Sequence, residues 1–101
     1  MSSELPPGSG LPDKDLLEST HSFPCQYTFK VIGIADEQFI GRVLAVVKSR
    51  LDESAEPAFS SRGTTSGRHL SVTISPDVES ADHILEIYQE LQQLEGLVLL
   101  M

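Results

Sequence analysis

The sequence has a single cysteine, no asparagine and no apolar run long enough to cross a membrane. One thiol, Cys25, excludes a disulfide within the chain and is consistent with a reducing compartment. A membrane-spanning helix needs about 20 consecutive apolar residues, and every apolar stretch here is shorter. The N-terminus also lacks the basic segment and the apolar segment of a secretory signal. These absences predict no membrane span and no signal peptide, and they fit a reducing compartment.

Positive charge is scarce as well. Seven Lys and Arg residues stand against 15 Asp and Glu residues, which gives a formal net charge of −8. Phosphate backbones and anionic membranes repel such a molecule on average. We therefore expect a protein or small-molecule partner, with no nucleic acid and no membrane. The acidic residues that follow His69, where Lys and Arg are absent, indicate a solvated helix face or a docking surface for a basic partner.

The first 22 residues differ in composition from the rest of the chain. Residues 1–12 hold three of the six prolines and two of the seven glycines, so this stretch cannot bury much apolar surface. Residues 13–18 can form one helical turn that offers Leu16 and Leu17 for docking, although so short a helix is marginal alone. We predict a flexible N-terminal tail at residues 1–22 and a single domain at residues 23–101.

Two segments, Tyr27–Gly33 and His69–Ser75, alternate in the way of half-buried strands. The residues predicted to face the core are Tyr27, Phe29, Val31, Leu70, Val72 and Ile74. The opposite face, with Thr28, Lys30, Ser71 and Thr73, is predicted to be open and mostly polar. A weaker strand at 57–61 begins with a proline, which suits a sheet edge, and Leu97–Met101 form a short last strand.

Two amphipathic helices separate these strands. Apolar residues recur at steps of three and four after Asp36 and again after Ser80, and both of these residues are good N-caps. Gly41 lies inside the first helix, where it suggests close backbone packing, and Gly96 is placed to end the second. The order of elements is βαββαβ. It predicts an α+β, ferredoxin-like sandwich in which four antiparallel strands run in the order 4-1-3-2 and both helices cover one face.

Four stretches together resemble the YbeD-like family, small bacterial proteins of unknown function. In chain order they are Phe23–Gly33, Ser71–Ile74 after the hairpin glycine Gly67, Ile87–Leu91 and the apolar segment Leu97–Met101. The resemblance covers the whole predicted domain. It implies a ferredoxin-like fold similar to ACT-type regulatory domains and a bacterial cytoplasmic setting. It also raises the hypothesis of a regulatory tie to lipoate metabolism, and it brings no catalytic residues.

The segment Arg62–His69 is the best candidate for a binding site. It is predicted as a hairpin loop in which glycines expose backbone N–H groups and arginines supply positive charge, so it could hold an anion or a carboxylate. The candidate ligand-binding residues, which include two from the open sheet face, are Lys30, Arg62, Gly67, Arg68, His69 and Ser71. For the hairpin residues, the competing interpretation is a mobile, solvated loop. For Lys30, it is a side chain whose methylene groups lie along a half-exposed strand while its ammonium group reaches solvent.

The residues do not predict an enzyme. His21, His69 and His83 are too scattered for a metal site, and the hairpin glycines do not form a phosphate-binding loop. An acylphosphatase-like hydrolase on the same fold needs an arginine in the turn after the first strand and a nearby asparagine, and the sequence has neither. We expect no catalytic residue, no metal and no cofactor.

Two further interpretations remain. An RNA-binding module of the same topology would stack bases on aromatic residues of the open face, but Thr28, Lys30, Ser71 and Thr73 occupy that face in the predicted sheet. A non-catalytic regulatory or interaction module fits the sequence better. Its second and last strands are both predicted sheet edges, which favours a homodimer through these edges. Either edge pairing or face-to-face packing would form a ligand pocket at the interface.

Overall fold

The structure, a computed structural model, describes residues 11–101. Residues 1–10, which belong to the tail predicted at residues 1–22, lie outside the described residues. The helices are α1 (Lys14–Thr20), α2 (Glu37–Lys48) and α3 (Ala81–Leu91). The strands are β1 (Cys25–Gln26), β2 (Phe29–Ile34), β3 (Ala58–Gly63), β4 (His69–Ser75), β5 (Asp77–Val78) and β6 (Leu97–Leu100).

Four of the strands form an antiparallel sheet in which the neighbours run β3-β4-β2-β6. Strands β2 and β4 are therefore central, and β3 and β6 are the edges. Helices α2 and α3 pack on one face of this sheet and share a hydrophobic core with it. The α+β class with an antiparallel sheet, predicted from the order of strand and helix patterns, is confirmed.

Alternation along the two central strands builds the core. Phe29 and Val31 of β2 pair with Ile74 and Val72 of β4, and all four side chains are fully buried. The helices contribute the other half of the core, with Phe39, Val43 and Val47 from α2 and Ile84, Ile87 and Leu91 from α3. The core faces predicted for these strands and helices are confirmed.

The two helix starts are fixed by the predicted caps. The side chain of Asp36 accepts a hydrogen bond from the backbone N–H of Gln38 at 2.9 Å, and the hydroxyl of Ser80 accepts one from His83 N–H at 3.1 Å. Each bond satisfies one of the amides that a helix start leaves without a partner. The carboxyl of Asp36 has a pKa below its ordinary value, because of the Gln38 N–H and then of the Arg42 guanidinium.

The structure adds elements that the sequence pattern did not predict. Strands β1 and β5 form a separate two-stranded antiparallel sheet, with Cys25 opposite Val78. Strand β3 continues to Gly63, so Arg62 lies in a strand and not in the hairpin loop. Strand β2 continues to Ile34, which was expected in a turn. Gly41 permits no close packing, because nothing lies within 4 Å of a Cβ built there.

Helix α1 docks on α3 within the stretch predicted as a tail. Leu17 is 3% exposed and belongs to the core, whereas Leu16 points outward with 57% of its surface exposed. The ammonium group of Lys14 lies 3.1 Å from a carboxylate oxygen of Asp82 on α3. Of the two leucines expected to dock, Leu17 does so. The boundary between tail and domain at residue 22 stays a prediction.

Candidate binding surface

One face of the four-stranded sheet is not covered by helices, and it is called the open face below. Cross-strand register assigns side chains to it, because directly paired residues point to the same side. The residues that share this face are Lys30, Ile32, Ile34, Ser60, Arg62, His69, Ser71, Thr73 and Leu99. Four of the six predicted site residues, Lys30, Arg62, His69 and Ser71, therefore lie together on the open face.

Charge on this sheet is of one sign. None of the 15 Asp and Glu residues of the chain falls within β2, β3, β4 or β6, whereas Lys30 and Arg62 do. Within residues 11–101 the acidic residues lie on the helices, in loops and, in the case of Asp77, on β5. An acidic protein thus has a sheet that bears only positive formal charge. Because the strands carry Lys30 and Arg62 and no carboxylate side chain, an anion is repelled less by this sheet than by the acidic helix side.

Among the described residues, the cations of the open face also have no carboxylate partner. Four ion pairs join described residues: Lys14–Asp82, Arg42–Asp36, Lys48–Glu56 and Arg50–Glu90. Within residues 11–101, Lys30, Arg62 and Arg68 take part in none of them. The cations with acidic neighbours are therefore on the helix side. The three cations of the sheet and hairpin remain available to a ligand.

A row of side chains crosses the whole sheet through the candidate site. Arg62 pairs with Ser71, Ser71 pairs with Ile32, and Ile32 pairs with Leu99. A second row runs from Ser60 through Thr73 to Lys30. The open face is therefore polar and cationic over β3 and β4 and apolar over β6, with Lys30 near the boundary.

The apolar part of this face was missed by sequence reasoning. Ile34 pairs with His69 and is 44% exposed, and Leu99 is 49% exposed beside Ile32. The signal was present in β2, since Lys30, Ile32 and Ile34 stand at alternate positions. It was hidden by Gly33, which looks like the end of a strand but lies inside one.

The hairpin turn between β3 and β4 uses its own hydrogen-bonding groups. The N–H of Gly67 donates to Thr64 O at 2.9 Å, and the N–H groups of Arg68 and His69 donate to hydroxyls of Ser66 and Thr64 at 3.3 Å each. These amides, which were expected to face a ligand, are engaged within the turn. Gly67, with φ of +76°, makes this closure possible. A ligand contact at this turn, through the Arg68 side chain, stays a prediction.

The other histidines have structural contacts. The Nε2 atom of His83 lies 2.7 Å from the carbonyl oxygen of Arg50, while its Nδ1 accepts a hydrogen bond from Glu79 N–H at 3.0 Å. His21 lies against the Tyr27 ring, with centroids 5.4 Å apart. Residues 11–101 contain no group of three or more His, Cys, Asp or Glu side chains placed to hold a metal ion.

A cleft of about 610 Å³ lies at the end of the sheet opposite the hairpin turn. Its lining combines acidic side chains, among them Asp52, Asp77 and Glu79, with Arg50 and His83. Arg50 is paired with Glu90, and His83 is bonded on both ring nitrogens. Arg50 and His83 of this cleft are thus engaged in joining α3 to the segment that follows α2.

Comparisons with known proteins agree with this architecture. A model of the family described as "Protein of unknown function (DUF493)" matches residues 18–101. The UPF0250 protein of Shewanella amazonensis is 42% identical over 74 residues, which cover 73% of this chain and 82% of the relative. The UPF0250 protein of Shewanella oneidensis is 40% identical with the same coverage.

Two solved structures share the fold. A solution structure of protein HP0495 from H. pylori matches with a TM-score of 0.60 and 19% identity, covering 99% of this chain and 98% of that chain. Another solution structure of HP0495 matches with a TM-score of 0.55 and 19% identity, covering 78% of this chain and 87% of that one. Among the described residues, none of the helices has the length and apolarity needed to cross a membrane.

Proposed function

Because the chain belongs to the DUF493 family of YbeD-like proteins, whose function is unknown, we propose that it is a non-catalytic module that binds a carboxylate ligand on the open face. The family membership expected from the sequence is confirmed. The ligand, its site and a regulatory role are the content of the proposal.

The observation that carries the proposal is the segregation of charge. In a chain with net charge −8, cations are expected to find carboxylate partners nearby, and four of the seven do so. Lys30 and Arg62 are held on strands that carry no acidic residue. An arginine guanidinium matches a carboxylate with two parallel N–H donors, and lysine adds a point charge. The hydroxyls of Ser71 and Thr73 provide further donors on β4, which lies between the strands of Arg62 and Lys30.

The shape of the face favours a ligand with an apolar chain. From Arg62 on β3 to Leu99 on β6 there are three strand spacings, about 14 Å in total. A carboxylate bound near Arg62 or Lys30 would place an extended aliphatic chain over Ile32 and Leu99. Lipoate and medium-chain fatty acids have this construction. The family resemblance implies a tie to lipoate metabolism, and the proposal therefore includes lipoate as a candidate ligand.

The arrangement of the sheet supports a regulatory module of the ferredoxin-like, ACT type. Its strand neighbours β3-β4-β2-β6 and its helices on one face match that architecture. We place the protein in the bacterial cytoplasm as part of the same proposal. The RNA-binding alternative has less support, since the open-face positions of the four strands carry no Phe, Tyr or Trp, and His69 is the one ring available for stacking.

The proposal is tested by following backbone amide resonances while acetate, octanoate and lipoate are added in turn. We expect shifts on β2, β3 and β4, with octanoate and lipoate binding more tightly than acetate because each buried methylene contributes about 0.8 kcal/mol. Lys30→Gln and Arg62→Gln should weaken binding, and Lys48→Gln, whose lysine pairs with Glu56 on the helix side, should leave it unchanged. Shifts confined to the helix side, or no shifts with any of the three acids, would contradict the proposal.

A further inference from the structure

The outer edge of the sheet at β3 is a regular strand. All six residues of Ala58–Gly63 are exposed, and each is paired with β4 in an unbroken antiparallel register. Within residues 11–101, β4 is the only strand that pairs with β3. The opposite edge, β6, is less regular, because its register with β2 shifts between Ile32 and Gly33. Of the two edges, β3 is therefore the better template for one more strand.

The backbone groups that β3 presents outward follow from its ladder with β4. The N–H of Thr64 donates to the carbonyl oxygen of His69 at 3.0 Å, so this pair is hydrogen-bonded. Because ladder bonds alternate along an antiparallel strand, Arg62, two residues before Thr64, also bonds to β4. The residues whose N–H and C=O groups point away from β4 are Phe59, Ser61 and Gly63. An added strand thus finds six backbone groups along this edge.

Two side chains give the two sides of this edge different character. Arg62 lies on the open face and has no carboxylate partner among the described residues. Phe59 lies on the helix side and is 49% exposed, although its cross-strand neighbour Ile74 is fully buried. Aromatic residues and arginine are enriched in protein–protein interfaces. An added strand meets a guanidinium group on one side and an aromatic ring on the other.

Charge decides what kind of strand fits the edge. Residues 58–75 contain Arg62 and Arg68 but no Asp or Glu, so a single carboxylate meets local attraction there. A second copy of this chain would bring a net charge of −8, and the two molecules would repel each other over most of their surfaces. The same repulsion disfavours any strongly acidic protein. The occupant that fits is a strand of a different, neutral or basic protein that carries one carboxylate near Arg62.

We propose that an extended segment of another protein adds to β3 as a fifth strand, antiparallel like every other neighbour in this sheet. The segment has a carboxylate opposite Arg62 and, three residues later, a large apolar side chain opposite Phe59. The spacing follows from the register, because three residues back along β3 correspond to three residues forward along an antiparallel partner. An odd spacing also puts the two partner side chains on opposite faces, as Arg62 and Phe59 are.

A peptide with blocked termini and the sequence Tyr-Glu-Val-Thr-Leu-Thr carries this pattern, with its Glu for Arg62 and its Leu for Phe59. Titration into the full chain is followed through backbone amide resonances, and we expect the largest shifts on β3. The peptide should bind at least about tenfold more tightly than the reversed sequence, which has the same composition. Methylation of the Val amide nitrogen, which faces β3 in this register, should abolish binding. Methylation of the Thr amide that follows it, which faces away, should leave the dissociation constant within about twofold.

Two substitutions at Ser61 test the same bonds from the side of the protein. Ser61→Pro removes an outward N–H and leaves the bonds to β4 in place, and edge strands accept proline where the N–H faces solvent. Ser61→Ala is the matched control, because it removes the hydroxyl and keeps the N–H. The dissociation constant of the peptide should rise at least about tenfold with Ser61→Pro and stay within about twofold with Ser61→Ala. Circular dichroism verifies folding, and if Ser61→Pro does not fold, the methylated peptides give the result on the unaltered chain.

A charge exchange tests the position of the carboxylate. Arg62→Glu should bind the peptide more tightly when Lys replaces its Glu than in its original form, which reverses the preference of the wild-type chain. Octanoate binding on the open face should be unchanged by Ser61→Pro, because Ser61 lies on the helix side, so the strand partner and the carboxylate ligand can fail separately. Shifts centred on α2, α3 or β6, equal binding of the reversed peptide, or light scattering that shows a dimer of this chain lost with Ser61→Pro would overturn the strand partner.

Discussion

The ring of Phe39 covers Gly33 so closely that a methyl group on the Gly33 Cα would overlap three of its ring atoms. Gly33 lies on the core face of β2, opposite Leu70, and Phe39 comes from the first turn of α2. The glycine is therefore part of the packing between helix and sheet. It lets α2 lie close to the strand that precedes it.

The first prediction concerns this contact. Gly33→Ala should lower the free energy of unfolding by about 1–3 kcal/mol, because the added methyl group must displace a buried ring. Gly41→Ala is the matched control: its Cβ meets nothing within 4 Å, and it lies inside α2. Alanine there should stabilise the protein by up to about 1 kcal/mol. Urea denaturation measures both changes, and equal effects of the two substitutions would contradict this account of Gly33.

The second prediction separates backbone strain from steric overlap at two glycines with positive φ. Gly96 has φ of +89° and Gly67 has φ of +76°, so alanine is strained at both. A Cβ at Gly96 would also lie 2.9 Å from Ile34 Cγ1, whereas a Cβ at Gly67 has open space. Gly67→Ala should cost about 1 kcal/mol, and Gly96→Ala should cost more. The double variant Gly96→Ala with Ile34→Ala, which removes both Cγ1 and Cδ1 of Ile34, should recover part of the difference in thermal unfolding.

The fold could be predicted because its two signals are local. Alternation in β2 and β4 and the three- and four-residue steps in α2 and α3 depend on burial of one face, which the sequence records directly. The caps at Asp36 and Ser80 are local as well, because each side chain accepts a hydrogen bond from an amide two or three residues later. Strands β1 and β5 have two residues each, too few for any alternation, so they could not be predicted.

The candidate site could be predicted only in part. Alternation alone places Lys30 and Ser71 on the open face, as the structure does. The position of Arg62 depends on where β3 ends, and strand ends are the least certain feature of a sequence pattern. The absence of acidic residues from all four strands can be read from the sequence once the strand bounds are known, but the sequence pattern alone does not show that Lys30 and Arg62 share one face of the sheet that those strands form.

The third prediction concerns alkaline pH. Burial raises the pKa of the Tyr88 phenol above its ordinary value near 10, and a hydrogen bond shared with Tyr27 at 3.1 Å adds to the shift. The folded state thus keeps the Tyr88 proton where the unfolded state loses it. The stabilisation is complete below about pH 10 and declines as the pH rises further, by up to about 1.4 kcal/mol per pH unit. Tyr88→Phe should reduce this decline in urea denaturation between pH 9 and pH 11, values that span the ordinary phenol pKa. Identical pH dependence of the two proteins would contradict the assignment.

The fourth prediction concerns the contact that His83 makes between α3 and the segment that follows α2. Its Nδ1 accepts from Glu79 N–H, so its Nε2 carries the proton and donates to the carbonyl oxygen of Arg50. His83→Ala removes both bonds and should destabilise the protein by about 1–3 kcal/mol. His69→Ala is the control, because His69 stands on the open face, where a substitution should change stability by no more than about 0.5 kcal/mol. His83→Gln keeps a donor near the Nε2 position and should recover part of the loss. If His83→Ala lowered the free energy of unfolding no more than His69→Ala, the account in which the His83 imidazole joins α3 to the segment after α2 would be wrong.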